Sequence, residues 1–127
     1  MDTTPDNPPI LLGNSFPFPL VRRPMRAEPL TVEAARILLR GRQVESFWGH
    51  PNTLRAAIEI LGVDVTPSTV RPALELNAAG FPCLNGVSAK DVLILCPEYA
   101  PGFRPAIGQE LTTHEIRGFH AVLLTFS

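Results

Sequence analysis

Residues 30–65, LTVEAARILLRGRQVESFWGHPNTLRAAIEILGVDV, admit few folds, because their punctuation marks a helix, a strand, a tight corner and a second helix in direct succession. Thr31 is placed to cap the first helix, Glu33 sits in the first turn where the helix dipole favours an acid, and Gly41 follows as a C-terminal stop. Val44, Ser46 and Trp48 alternate with Gln43, Glu45 and Phe47, the period of a strand. Gly49-His50-Pro51 then turns the chain into the next helix, where proline is tolerated at the first position. Leu54, Ala57, Ile58 and Leu61 share one face of that helix, Arg55 and Glu59 the other, and Gly62 ends it.

A strand that turns tightly into a helix leaves the first helical N–H groups unpaired at the strand's end, a setting that suits an anion. His50 stands at this corner. One reading makes it an acid–base group beside a bound phosphate; the other makes it a surface cap before proline.

The 127 residues predict one domain, with 45% hydrophobic content and a net charge of -1 that fit a soluble globular protein. That charge gives no broad basic field, so duplex DNA is not an expected partner. Arginine outnumbers lysine ten to one, however, and its planar fork favours local recognition of phosphate or carboxylate. Residues 1–9, MDTTPDNPP, predict a disordered tail, neither signal peptide nor membrane anchor, and no apolar run is long enough to span a bilayer. A cytoplasmic protein is expected. Cys83 and Cys96 lack CxxC spacing and are expected as buried, reduced thiols. His50, His114 and His120 lack Cys or carboxylate partners at ligand spacing, so neither a metal nor another cofactor is expected.

Elsewhere, Ile10-Leu11-Leu12 predicts a buried strand that turns at Gly13-Asn14-Ser15. Phe16, Phe18 and Leu20 alternate with Pro17 and Pro19, which forbids a central strand and allows an edge or a loop lying over a hydrophobic groove. Arg22, Arg23 and Arg26 predict a solvated loop, with phosphate contact as the alternative. Residues 70–76 predict an edge strand, 77–90 a long connection or hairpin excursion, 92–96 a central strand and 97–108 a loop. Thr112 and Glu115 have capping-box spacing and predict a brief helix ending near Gly118, after which 121–126 closes the chain as a strand. The expected architecture is an α/β domain over 10–127, a mixed sheet of roughly five strands flanked by helices.

This order of parts resembles the small ring nucleases found as type III anti-CRISPR proteins in viruses and phages and as host accessory genes. The resemblance rests on the opening strand ending in Leu12-Gly13-Asn14-Ser15-Phe16, on the helix LTVEAARILL, and most on Glu45-Ser46-Phe47-Trp48-Gly49-His50-Pro51-Asn52-Thr53, which is similar to the family's strand-GH-x-x-T-helix. Arg104-Pro105-Ala106-Ile107-Gly108 is similar to a further family segment. The resemblance implies a two-fold homodimer that cleaves cyclic tetra-adenylate without a metal, the ribose 2'-OH attacking its own phosphate to leave a 2',3'-cyclic phosphate. It implies His50 as general acid and Arg104 as the cation that stabilises developing charge. It also implies ligand contacts from Asn14, Ser15, Gly49, Asn52, Thr53 and Arg71.

The chain departs from the pattern at several places. Ile107 stands where the family carries an acid, with Glu98 or Glu110 as alternative carboxylates; Pro17 stands where a small polar residue is common; and Arg71 is displaced from the expected strand position. A slow or non-cleaving sponge for the same ligand is the alternative function, and a protein that kept the fold and lost the pocket is a third.

Overall fold

The computed structural model describes residues 8–47, 51–63, 74–99 and 116–127. In chain order they form β1 (Ile10–Gly13), a 3-10 turn at Phe18–Leu20, β2 (Met25–Leu30), α1 (Val32–Leu39), β3 (Val44–Ser46), α2 (Pro51–Leu61), β4 (Glu75–Leu76), β5 (Pro82–Leu84), β6 (Val87–Ser88), β7 (Asp91–Tyr99) and β8 (Ile116–Phe126).

All four residues of β1 are buried, which requires neighbours on both edges and layers on both faces. β1 runs parallel to β3, with Ile10 opposite Val44 and Leu12 opposite Ser46, and parallel to β7, with Gly13 opposite Ile94. β8 is antiparallel to β7, and β2 is antiparallel to β8, giving a mixed five-stranded sheet in the order β2-β8-β7-β1-β3. All strands but β8 therefore point the same way. Their C-terminal ends share one edge of the sheet with the start of β8.

Strand alternation divides the core in two. Ile10, Leu12, Leu93, Leu95, Phe119 and Ala121 face Ala35 and Leu39 of α1 and Leu54, Ala57 and Leu61 of α2. Leu11, Val92, Ile94, Leu124 and Phe126 face the other way and are covered by Phe16, Phe47, Leu84 and Ala89. The helices begin and end where the sequence predicts. The Thr31 hydroxyl accepts from the Ala34 N–H at 3.0 Å, and Gly41 and Gly62 adopt φ of +74° and +68°, which lets each helix stop sharply. Phe16 is buried against Phe126 at 5.7 Å between ring centroids, so the proline-rich segment does lie over a hydrophobic face.

Three local expectations of secondary structure are corrected. The arginine segment is not a solvated loop throughout: Arg26 lies within β2, and Pro29 is tolerated there because β2 is an edge strand. Arg23 is half-buried. It donates to the carbonyls of Ala79 and Ser127, both at 2.9 Å, and lies 4.2 Å over the Phe81 ring, clamping the excursion to the sheet. The excursion takes the hairpin form, one of the two expected, as a small antiparallel sheet, β4-β5-β6, whose first turn is organised by Asn77 Oδ1 accepting from the N–H groups of Ala79 and Phe81, each at 2.9 Å.

Second, β7 continues through Pro97 to Tyr99 where a loop is expected. Lys90 pairs with Phe126 through a 2.8 Å hydrogen bond, and the alternation of that ladder turns the Pro97 nitrogen toward the β1 side, beyond the last β1 pairing at Ile94. Its missing N–H therefore leaves no ladder bond unmade. Third, Ile116–Gly118 extends β8 instead of ending a helix. Residues 70–73 and 112–115, parts of an expected strand and helix, lie outside the described residues, as do 1–7 of the expected tail. Both cysteines are free, but half-buried and not fully buried.

Candidate functional site

The sheet edge at the C-terminal ends of the parallel strands gathers the described part of the expected site. β1 delivers Asn14, half-buried, and Ser15, exposed, at the bend that follows Gly13. The β1–β3 ladder continues past Ser46, with Phe47 N–H donating to the Leu12 carbonyl at 2.9 Å, so the chain leaves β3 directly beside the end of β1. α2 opens at Pro51, and Asn52 and Thr53 occupy its first turn. Because proline has no N–H, the open donors of this helix begin at Asn52. Gly49, His50, Arg71 and Arg104 lie outside the described residues, as do Trp48, Ile107 and Glu110.

Phe47 fixes how closely β1 and β3 finish together. It is buried, and its ring occupies the space above Gly13, on the face opposite the helices. On the other side of β1, Cys96 Sγ of β7 stands 4.0 Å from the Asn14 carbonyl, a long thiol contact. Burial pushes the Cys96 thiol above its ordinary range, so it is an uncharged neighbour to this edge.

Sequence spacing did not point to the next pair. His120 lies across from Cys96 in the β7–β8 ladder, and its Nδ1 is 3.5 Å from Glu98 Oε2, with both side chains more than half exposed. The two residues are 22 positions apart, joined by strand pairing alone. In the sequence Glu98 stood out only as an alternative carboxylate and His120 only as a histidine without ligand partners, each outside the apolar runs at 92–96 and 121–126.

Among the described residues no group of three His, Cys, Asp or Glu side chains is placed to hold a metal ion. No described helix is long and apolar enough to cross a membrane. A cavity of about 390 Å³ at the opposite edge is lined by Arg36, Arg40, Arg42, Leu39, Leu61 and Val63, among others. Its chemistry is largely spent: Arg36 donates twice to the Ile60 carbonyl, at 2.7 and 3.0 Å, closing the end of α2, and Arg42 pairs with Asp91 and the carbonyls of Pro8 and Pro9.

No protein-family model matches the chain, and no curated protein matches it by sequence. Among solved structures it is similar to B116 of Sulfolobus turreted icosahedral virus, with a TM-score of 0.56 and 14% sequence identity over 92% of this chain and 98% of that one. At that identity the likeness establishes a shared fold: a small single α/β domain with a mixed five-stranded sheet, also used by a virus protein of the same size.

Proposed function

We propose that this chain is a metal-independent ring nuclease that acts as a two-fold homodimer in the cytoplasm, its domain over residues 10–127, and cleaves a cyclic oligoadenylate, cyclic tetra-adenylate first, to linear products with 2',3'-cyclic phosphate ends. Such an activity antagonises type III CRISPR signalling, and a fold shared with a virus protein is in keeping with that role. The observation that carries the reading is that β1 and β3 end side by side, which places Asn14 at the sheet edge where β3 finishes, with α2 opening at Pro51 soon after in the chain. In α/β sheets ligands bind outside the carboxyl ends of parallel strands, and α2 adds unpaired N–H groups there for a phosphate.

In this mechanism the protein holds the 2'-OH in line with the phosphate, Arg104 balances the charge that develops, and His50 protonates the leaving 5'-oxygen. Ser15, Gly49, Asn52, Thr53 and Arg71 complete the ligand contacts. Incubation with cyclic tetra-adenylate, followed by chromatography and mass spectrometry, tests the proposal: linear di- or tetra-adenylate with a cyclic phosphate terminus is expected with EDTA present. Ile107 at the family's acidic position favours a second reading, a sponge that binds the ring without opening it. Tight binding with no product over hours decides for the sponge. Light scattering that finds a strict monomer, with and without ligand, counts against a symmetric site.

A further inference from the structure

Among the described strands β2 is an edge of the sheet, and its outer side is open: Arg26, Ala27, Glu28 and Pro29 are all exposed. Ser127 N–H donates to the Pro24 carbonyl at 3.0 Å, which makes that level of the β2–β8 ladder a hydrogen-bonded pair. Alternation then turns the backbone groups of Arg26, Glu28 and Leu30 toward β8, and those of Met25, Ala27 and Pro29 toward the open edge. Pro29 has no N–H, so the donors of that edge are Met25 and Ala27.

The side chains add a charge pattern. Arg26 and Glu28 lie two residues apart on one face of β2, with the small Ala27 between them on the other. Across β8 neither charge meets another, since Arg26 is opposite Thr125 and Glu28 is opposite Leu123. Neither belongs to an ion pair among the described residues. An open strand edge is a template for another strand, and charge or proline placed on it restricts what can pair there. On β2 the charges carry both signs and the proline stands beside the last residue, so they restrict the register without closing the edge.

We propose that β2 pairs with β2 of a second copy of this chain, antiparallel about a two-fold axis at Ala27. The two Ala27 residues then exchange both hydrogen bonds, and each Met25 N–H donates to the carbonyl of the partner's Pro29. Every donor of the open edge is satisfied. Each Arg26 stands directly opposite the partner's Glu28 in the closer type of antiparallel pair, with Cα atoms about 4.5 Å apart. An axis at Arg26 or Glu28 instead sets like charges face to face, and an axis at Met25 or Pro29 pairs only part of the strand. Two five-stranded sheets thereby join into one. Because β2 runs in the same direction as β1 and β3, antiparallel pairing sends the two Asn14 edges to opposite ends of the joined sheet. The contact is separate from the two-fold axis of a symmetric nuclease site and does not rest on the nuclease reading; a protein that uses both assembles as a tetramer.

Sedimentation of the full-length protein over a wide range of concentration tests the proposal. One short strand buries little surface, so the contact is expected to be reversible and the mass to rise with concentration. Glu28→Arg sets like charges opposite each other twice over, by symmetry, and is expected to raise the dissociation constant of this contact about tenfold. Its melting temperature should stay close to that of wild type, because Glu28 has no charged partner within one copy. Arg26→Glu combined with Glu28→Arg restores both pairs with their signs exchanged and is expected to recover the wild-type dissociation constant. Added salt should weaken the association of the wild type and of the double variant alike, since both pairs are exposed. A mass that Glu28→Arg leaves unchanged at every concentration places any self-association elsewhere, overturning this inference and leaving the symmetric site standing. A double variant as dissociated as Glu28→Arg overturns the register, and a wild type monomeric at every concentration overturns the contact.

Discussion

Phe47 occupies the space in which any residue other than glycine at position 13 would place its side chain: a Cβ there would lie 2.3 Å from Phe47 Cε2 and Cζ. The contact ties the last residue of β1 to the first residue after β3, and so sets the spacing of the edge that carries Asn14. Phe47 is 8% exposed and its ring has little room to yield. Gly13→Ala is expected to destabilise the fold by about 1–3 kcal/mol, the usual cost of overpacking. Gly13→Ala combined with Phe47→Leu should recover part of that loss in urea titrations, because the second change removes the atoms in conflict. Purely additive losses would show that the two residues do not compete for space.

Arg42 pins the entry of the chain to the sheet. Its Nη2 stands 2.9 Å from Asp91 Oδ2, with the two side chains 8% and 22% exposed, and its Nε donates to the Pro8 carbonyl at 2.7 Å. Arg42→Ala leaves Asp91 half-buried without this partner and two carbonyls without a donor, and is expected to cost about 2–3 kcal/mol. Arg42→Lys should recover only part of this, since one ammonium cannot present the guanidinium's separate donors to the carboxylate and both carbonyls. Thermal melts of the two variants decide it, and equal stability of Arg42→Lys and wild type would show that the charge alone suffices.

Cys96 is expected to alkylate slowly. Burial disfavours its thiolate and raises its pKa, so at pH 8 less of the nucleophile is present than in a free cysteine. Reaction with iodoacetamide, followed by peptide mass spectrometry, should be slower than that of an unfolded control and should accelerate as pH rises above the ordinary thiol range. A rate at Cys96 equal to the unfolded control would contradict this. Neither thiol should appear as a Cys83–Cys96 disulfide, since both are free in the fold.

His50→Ala is expected to cut cleavage by roughly 10²- to 10⁴-fold, the range of general acid catalysis, while ligand binding changes little. The rate should fall as pH rises, because the acid must be protonated to act. Trp48 adjoins Gly49-His50 in the sequence, so its fluorescence offers a binding readout independent of turnover. Cleavage unaffected by His50→Ala but abolished by Arg104→Ala would make catalysis positional and remove the acid role. EDTA should leave the wild-type rate unchanged; loss of activity restored by Mg²⁺ would sink the metal-independent mechanism.

Local pattern determined much of this fold. Thr31, Gly41 and Gly62 mark helix ends by backbone chemistry that needs no distant partner, and the apolar faces of α1 and α2 follow from a spacing of three and four. The buried runs at 10–12 and 92–96 identify central strands for the same reason: only a segment covered on both faces is apolar throughout. The motif from Glu45 to Thr53 placed the candidate corner, and the structure adds that β1, not a segment nearer in sequence, pairs with β3 and brings Asn14 to the edge where β3 ends. Tertiary structure alone decided the rest. β2 is mostly exposed and contains Pro29, and it is a strand because β8 offers it a ladder. Pro97 remains in β7 because β1 has already ended beside it, and Arg23 is a clamp because the chain terminus and Ala79 converge on it. The His120–Glu98 pair belongs to the same class. Its members are separated along the chain and meet through the register of two antiparallel strands, a relation that a one-dimensional pattern does not contain because register is set by the whole buried face.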